Sequence, residues 1–298
     1  MTLFKGVGTA IVTPFKEGKV DYDALGHLID WQIESSVDAV DAIVVCGTTG
    51  ESSTLSVKEH LAVVDYAVKK TARRVPVVAG AGSNNTSNSM FLAKEIEEIG
   101  ADGLLIVTPY YNKCTQEGLR RHYEMIADYT DLPIILYSVK SRTGLNIEPS
   151  TALALAKHPN IVGIKEASSD ISQICKIAAM IRGKDFDLYS GNDEQTLPIL
   201  ALGGIGCIST VSNIIPAQYH QMIMDYLNGN VKAATKMQLK MQPLIEAVFK
   251  EVNPIPVKAA LNIMGKIEKE YRMPLYAPTD ETLYLLYEEM KRFGIKVN

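Results

Sequence analysis

The chain has 298 residues, 47% hydrophobic and 21% charged, with 21 Gly and 13 Pro. That composition belongs to a globular chain and excludes a disordered, collagen-like or low-complexity one. Thirty Lys and Arg against 34 Asp and Glu leave a net charge of -4, without the basic footprint of a nucleic-acid binder. No run of about 18 uncharged apolar residues occurs, so no membrane span is expected.

The four cysteines (Cys46, Cys114, Cys175, Cys207) are scattered with no CxxC pair. A disulfide framework or zinc site is therefore not expected, and a reducing cytosol is the expected location. The apolar stretch at the N-terminus is too short and too soon interrupted for a signal peptide.

Eight short apolar runs punctuate the chain: 6–13, 41–47, 75–80, 102–108, 132–138, 161–167, 186–191 and 204–210. They are continuous rather than alternating, as in strands buried on both faces of a parallel sheet. Helical patterns lie between them. In 21–36, Leu25, Leu28, Ile29 and Ile33 share a face. In 56–72, Val57, Leu61, Val64 and Val68 do so, and Ser56 with Glu59 predicts a capping box. Eight β-then-α units at about 28 residues each predict a (β/α)8 TIM barrel. A doubly wound open sheet competes, but there is no GxGxxG.

After LNGN (227–230) the strand signal stops, and helices are predicted at 231–250, about 256–267 and 279–293. Pro254 and Pro256 separate the first from the second. The expected organisation is a catalytic barrel over 1–228 with a C-terminal α-helical appendage over 229–298.

In a barrel, chemistry sits at the carboxyl ends of the strands. Gly47-Thr48-Thr49-Gly50-Glu51 ends the second run; it can hold a small anion or be a plain turn. Tyr110-Tyr111 follows the fourth, for packing or for proton transfer. Tyr137 ends the fifth, and Arg142 after it offers a fork of donors to a carboxylate.

Lys165 stands at the end of the sixth, otherwise apolar, run. A buried ammonium is costly, so such a lysine is either paired, here with Glu166 or Glu51, or it becomes a neutral amine able to attack carbonyls. Gly203-Gly204-Ile205-Gly206 suits phosphate or close packing. The five histidines are dispersed, and no metal ligand set is apparent. P-loop, HExxH and GxSxG motifs are missing from the sequence.

Taken in order, GTTGE (47–51), TPYYNK (108–113), YxxxSRTG (137–144), GIKEAS (163–168), YSGND (189–193), GGIGCIS (203–209) and NPIPVK (253–258) resemble the pyruvate-dependent class I aldolases and lyases. Within that superfamily they are most similar to the dihydrodipicolinate synthase family. The resemblance implies an imine between Lys165 and pyruvate, and a proton relay of Thr48, Tyr111 and Tyr137. It implies a pyruvate contact at Thr49 and an Arg142 contact to the carboxylate of L-aspartate 4-semialdehyde. Gly191 and Ile208 match positions whose carbonyls lie beside the lysine. No metal or dissociable cofactor is implied.

The resemblance also implies a homo-oligomer, a tetramer built as a dimer of dimers, with Tyr111 reaching into the partner's site. A lysine-binding pocket at the dimer interface would correspond to Ser52, Ser53, Val57, His60, Asn84, Asn88 and Tyr110. Lysine-sensitive relatives commonly carry histidine at position 57 and glutamate at position 88, so inhibition by lysine is expected to be weak or absent. One departure lies near the site, where Tyr137-Ser138-Val139-Lys140 stands for the family's usual Tyr-Asn-Val-Pro. Two other readings remain: a sister lyase of N-acetylneuraminate or a 2-keto-3-deoxy sugar acid, and a non-catalytic regulatory paralogue.

Overall fold

The structure is a computed structural model and describes residues 2–35 and 39–297. Ser36, the end of the first predicted helix, lies outside them, as do Met1 and Asn298 at the ends of the two expected regions. Among the described residues, eight parallel strands close into a barrel. They are β1 (Gly6–Ala10), β2 (Ala42–Val45), β3 (Val77–Gly80), β4 (Gly103–Val107), β5 (Ile134–Ser138), β6 (Ile161–Glu166), β7 (Asp187–Ser190) and β8 (Gly206–Ser209). Each falls within one predicted run. A two-stranded ribbon, Phe15–Lys16 with Lys19–Val20, lies apart from the barrel.

Alternate residues of the strands feed two cores. Ala42, Val44, Val78, Leu105, Ile135, Tyr137, Tyr189 and Ile208 pack together inside the barrel. Ile43, Val45, Ala79, Leu104, Ile106, Leu136 and Leu188 face the helices outside. Two buried faces per strand explain why the sequence shows apolar runs without alternation.

The helices in chain order begin with α1 (Tyr22–Glu34), α2 (Val57–Thr71), α3 (Thr86–Ile99), α4 (Gln116–Ala127), the short α5 (Lys140–Thr143) in the loop after β5, α6 (Pro149–Leu155) and α7 (Ile171–Ile181). Then come α8 (Thr196–Ala201) and α9 (Pro216–Leu227). They are followed by α10 (Val231–Val248), α11 (Ile255–Ile263) and α12 (Asp280–Phe293), close to the three helices expected at the C-terminus.

In α1 the expected face is buried at Leu25, Leu28 and Ile29, with Ile33 half-buried. In α2 the predicted capping box of Ser56 and Glu59 is formed. Its expected face is displaced: the buried residues are His60, Val63, Val64, Ala67 and Thr71, and Val57 is 54% exposed. The helix is turned so that His60 Nε2 donates to Gly80 O at 2.8 Å, a bond that an apolar-residue count does not see. The Gly203–Gly206 run serves close packing. A Cβ at Gly206 would stand 2.1 Å from Gly6 O, and one at Gly204 would stand 2.6 Å from Ile199 Cγ2.

Candidate active site

Lys165 owes its inward direction to a register shift. Between β5 and β6, Ile134 pairs with Ile161 but Ile135 pairs with Gly163, so Val162 is an extra residue. A bulge of this kind reverses the alternation beyond it and re-aims the side chains that follow. From there Tyr137 pairs with Lys165 and Ser138 with Glu166. Tyr137 belongs to the interior core, and its partner Lys165 faces the same way, with Nζ 4.3 Å from the centroid of the Tyr137 ring.

Lys165 is 6% exposed, yet among the described residues it forms no ion pair and no side-chain hydrogen bond. Both acids named as partners are otherwise engaged. Glu51 pairs with Lys258, each almost fully buried. Glu166 accepts from Ser168 N at 2.7 Å and Gln173 Nε2 at 3.1 Å on the outer face of the sheet. Gly191 leaves the space that Lys165 uses; a Cβ there would stand 3.1 Å from Lys165 Cε. Ile208 lines the interior core on β8.

A cavity of about 570 Å³ opens at the carboxyl ends of the strands, lined by Thr48, Tyr137, Arg142 and Asn253 among others. Thr48 presents a half-buried side chain to it. Thr49 is buried and its hydroxyl is 3.3 Å from that of Thr210. Asn253 links two of the expected substrate contacts: its Nδ2 donates to Thr49 Oγ1 and its carbonyl accepts from Arg142 Nη2, both at 2.9 Å. Sequence reasoning assigned no role to Asn253 or Lys258. Both lie in NPIPVK, and a lysine within the apolar Ile255–Ile263 segment was the available signal.

Burial and the neighbouring charges act on Lys258 in opposite senses. Desolvation lowers its pKa, and Glu51 raises it back in part. The ammonium also lies 4.3 Å from the Phe15 ring centroid and 5.4 Å from that of Tyr271.

Tyr111 is not brought to Tyr137 and Thr48 within one chain. It is 91% exposed, with a φ of 72°, on the loop after β4. Six of the seven positions of the expected lysine pocket line the same cavity: Ser52, Ser53, Val57, His60, Asn88 and Tyr110. Asn84 does not line it, and its carbonyl accepts from Asn112 Nδ2 at 2.9 Å. Burial lowers the pKa of His60, and that of His122 to about 4. No cluster of three or more metal-ligating side chains occurs among the described residues.

A closed parallel barrel with a buried lysine beside a cavity at its strand ends is the form of a barrel enzyme that works through a lysine imine. The chain matches the model of the dihydrodipicolinate synthetase family over residues 3–291. It is 49% identical over 296 residues to the 4-hydroxy-tetrahydrodipicolinate synthase of Thermoanaerobacter sp. (strain X514), covering 99% of this chain and 98% of that one. A solved dihydrodipicolinate synthase from Thermotoga maritima superposes with a TM-score of 0.95 at 45% identity, covering 98% of this chain and 99% of that one. A monomeric dihydrodipicolinate synthase variant does so with a TM-score of 0.96 at 45% identity, covering 99% and 98%. The chain belongs to the dihydrodipicolinate synthetase family.

Proposed function

We propose that the protein condenses pyruvate with L-aspartate 4-semialdehyde to give 4-hydroxy-tetrahydrodipicolinate, a lyase reaction on the diaminopimelate route to lysine. The observation that carries this reading is Lys165: buried, without an acidic partner among the described residues, and set over the Tyr137 ring. The unprotonated amine attacks the ketone of pyruvate, and loss of water leaves an imine. The imine withdraws electrons, so C3 gives up a proton and becomes an enamine. The enamine attacks the aldehyde carbon. The substrate's own amine then closes the ring and displaces Lys165.

Tyr137, Thr48 and Tyr111 carry the protons. Thr49 holds the pyruvate carboxylate, its hydroxyl aligned by Asn253, and Gly191 and Ile208 offer backbone carbonyls beside the lysine. Arg142, at the rim, holds the carboxylate of the aldehyde substrate; its fork of donors suits that group. Tyr111 is supplied by a second copy of the chain. Its exposure, with that of Tyr110 beside it, supports a homodimer as the smallest active unit and a tetramer of two such dimers. The barrel, 1–228, carries the catalytic groups, and 229–298 braces them. The protein works in the cytoplasm, the compartment its dispersed cysteines favour.

A coupled assay decides the substrate. Pyruvate with the semialdehyde should give product, while N-acetylneuraminate and 2-keto-3-deoxy sugar acids should not be cleaved. Preferential cleavage of a sugar acid would overturn the reading. In the same assay lysine should inhibit weakly, because Val57 and Asn88 place no carboxylate or imidazole where its ammonium groups would bind. A charge-assisted contact contributes about 1.5–3 kcal/mol, roughly tenfold or more in affinity. Half-inhibition below about 0.5 mM would contradict that.

A further inference from the structure

Behind the wall formed by Tyr137 and Lys165 lies a second pair, Ser138 and Glu166, on the opposite face of the same two strands. Both are fully buried, in a layer made mostly of apolar side chains. Burial pushes the Glu166 carboxyl up, against the donors from Ser168 and Gln173. A charged or polar group in such a layer is costly unless its hydrogen bonds are made.

The bonds run in one direction. Ser138 Oγ donates to Asn146 Oδ1 at 2.9 Å. Asn146 Nδ2 donates to Gln173 Oε1, and Gln173 Nε2 donates to Glu166 Oε2 at 3.1 Å. At one end Ile147 N donates to Ser138 Oγ at 3.3 Å; at the other Ser168 N donates to Glu166 Oε1 at 2.7 Å. The chain therefore starts on β5, crosses the far end of the 139–147 segment that carries Arg142, passes through the first turn of α7, and ends on β6 next to Lys165. Donors aligned head to tail toward one carboxylate polarise each other and strengthen the set.

We infer that Ser138, Asn146, Gln173 and Glu166 form a positioning relay, buried at its two ends, that holds the Lys165–Tyr137 wall and the Arg142 loop in one fixed geometry. The inference rests on the proposed function for its link to catalysis. The loop departs from the family's usual sequence at Ser138 and Lys140. In this chain the relay anchors the loop through Ser138. Lys140 lies in the exposed first turn of α5 and takes no part. None of the four relay residues lines the cavity; they act through Lys165, Tyr137 and Arg142.

The direction of the bonds gives a test that a loss of packing cannot imitate. Gln173→Glu sets two carboxylates against each other. Adding Glu166→Gln moves the charge one link along and allows every bond to re-form. The new amide at position 166 donates to the new carboxylate at position 173. Asn146 Nδ2 still donates to that carboxylate, and Ser168 N donates to the amide oxygen at position 166. Three variants serve: Gln173→Glu, the double variant, and Asn146→Ala, which cuts the relay at a half-buried position and leaves both strands intact.

The expected result is a loss of about tenfold or more in kcat/KM for the semialdehyde in Gln173→Glu and in Asn146→Ala. Pyruvate trapping by borohydride should persist, and the double variant should recover to within about threefold. Amide hydrogen exchange should rise in the segments holding Ile147 and Ser168 in the single variants and return in the double one. A double variant no better than Gln173→Glu, or single variants within about twofold of the parent, would overturn the relay. If the parent makes neither imine nor product while exchange follows the swap, the relay's hold on the loop stands and the functional reading falls.

Discussion

Among the described residues two lysines are buried, Lys165 and Lys258, and they differ in the group opposite the amine. Lys258 is 1% exposed and meets Glu51, which is itself wholly buried, between the rings of Phe15 and Tyr271. Lys165 is 6% exposed and, among the described residues, meets an aromatic ring but no carboxylate. A carboxylate at hydrogen-bond distance holds an ammonium in its charged form and ties up the electron pair that a nucleophile needs. The region around Lys258 is thus built to hold a charge in place, and it joins the GTTGE turn to the C-terminal helices. The region around Lys165 sets an aromatic ring beside the amine and, among the described residues, no carboxylate within ion-pair distance. Two residues with the same side chain and similar burial are given different tasks by the group opposite.

That contrast can be broken from either side. The largest effect on stability belongs to Lys258. Replacing it with Met leaves Glu51 buried and unpaired, and this should cost about 3–5 kcal/mol in chemical denaturation. The double variant Lys258→Met with Glu51→Gln should regain much of that loss, because the uncompensated charge is gone. A Lys258→Met protein as stable as the parent would show that the pair is not what holds the turn.

A smaller effect is expected at the rim. If Arg142 holds the substrate carboxylate as proposed, Arg142→Ala removes a charge-assisted contact of about 1.5–3 kcal/mol, and kcat/KM for the semialdehyde should fall roughly tenfold or more. Imine formation with pyruvate, proposed at Lys165, should be largely kept. Steady-state kinetics beside borohydride trapping separates the two. A silent Arg142→Ala would remove the argument for a carboxylate-bearing aldehyde and favour a sugar-acid lyase.

How much of this was legible in the sequence follows from distance along the chain. The eight strands could be read because a strand buried on both faces is a continuous apolar run, a local property. The C-terminal helices could be read for the same reason. The face of α2 was misjudged because it rests on His60, whose hydrogen bond to Gly80 spans 20 residues. Lys165 stood out as a charge in an apolar strand, but what aims it into the barrel is Val162, an extra residue visible only once β6 is paired with β5. The ion pair of Glu51 and Lys258 joins positions 207 residues apart, and the bond from Asn253 to Thr49 spans 204. Spacing rules carry no information at that range. Thr48 and Arg142 line one cavity with Tyr137, whereas Tyr111 stands exposed away from them. A single chain therefore does not assemble the three residues named as a proton relay.

The two lysines also supply the most direct measurement. The protein is incubated with pyruvate, reduced with borohydride and digested, and the peptides bearing Lys165 and Lys258 are compared by mass spectrometry. The predicted result is a pyruvate-derived adduct on Lys165 alone, lost in Lys165→Ala, a variant that should keep its fold while turnover drops by at least about a thousandfold. An adduct on Lys258 or any other lysine, or none at all, would contradict it.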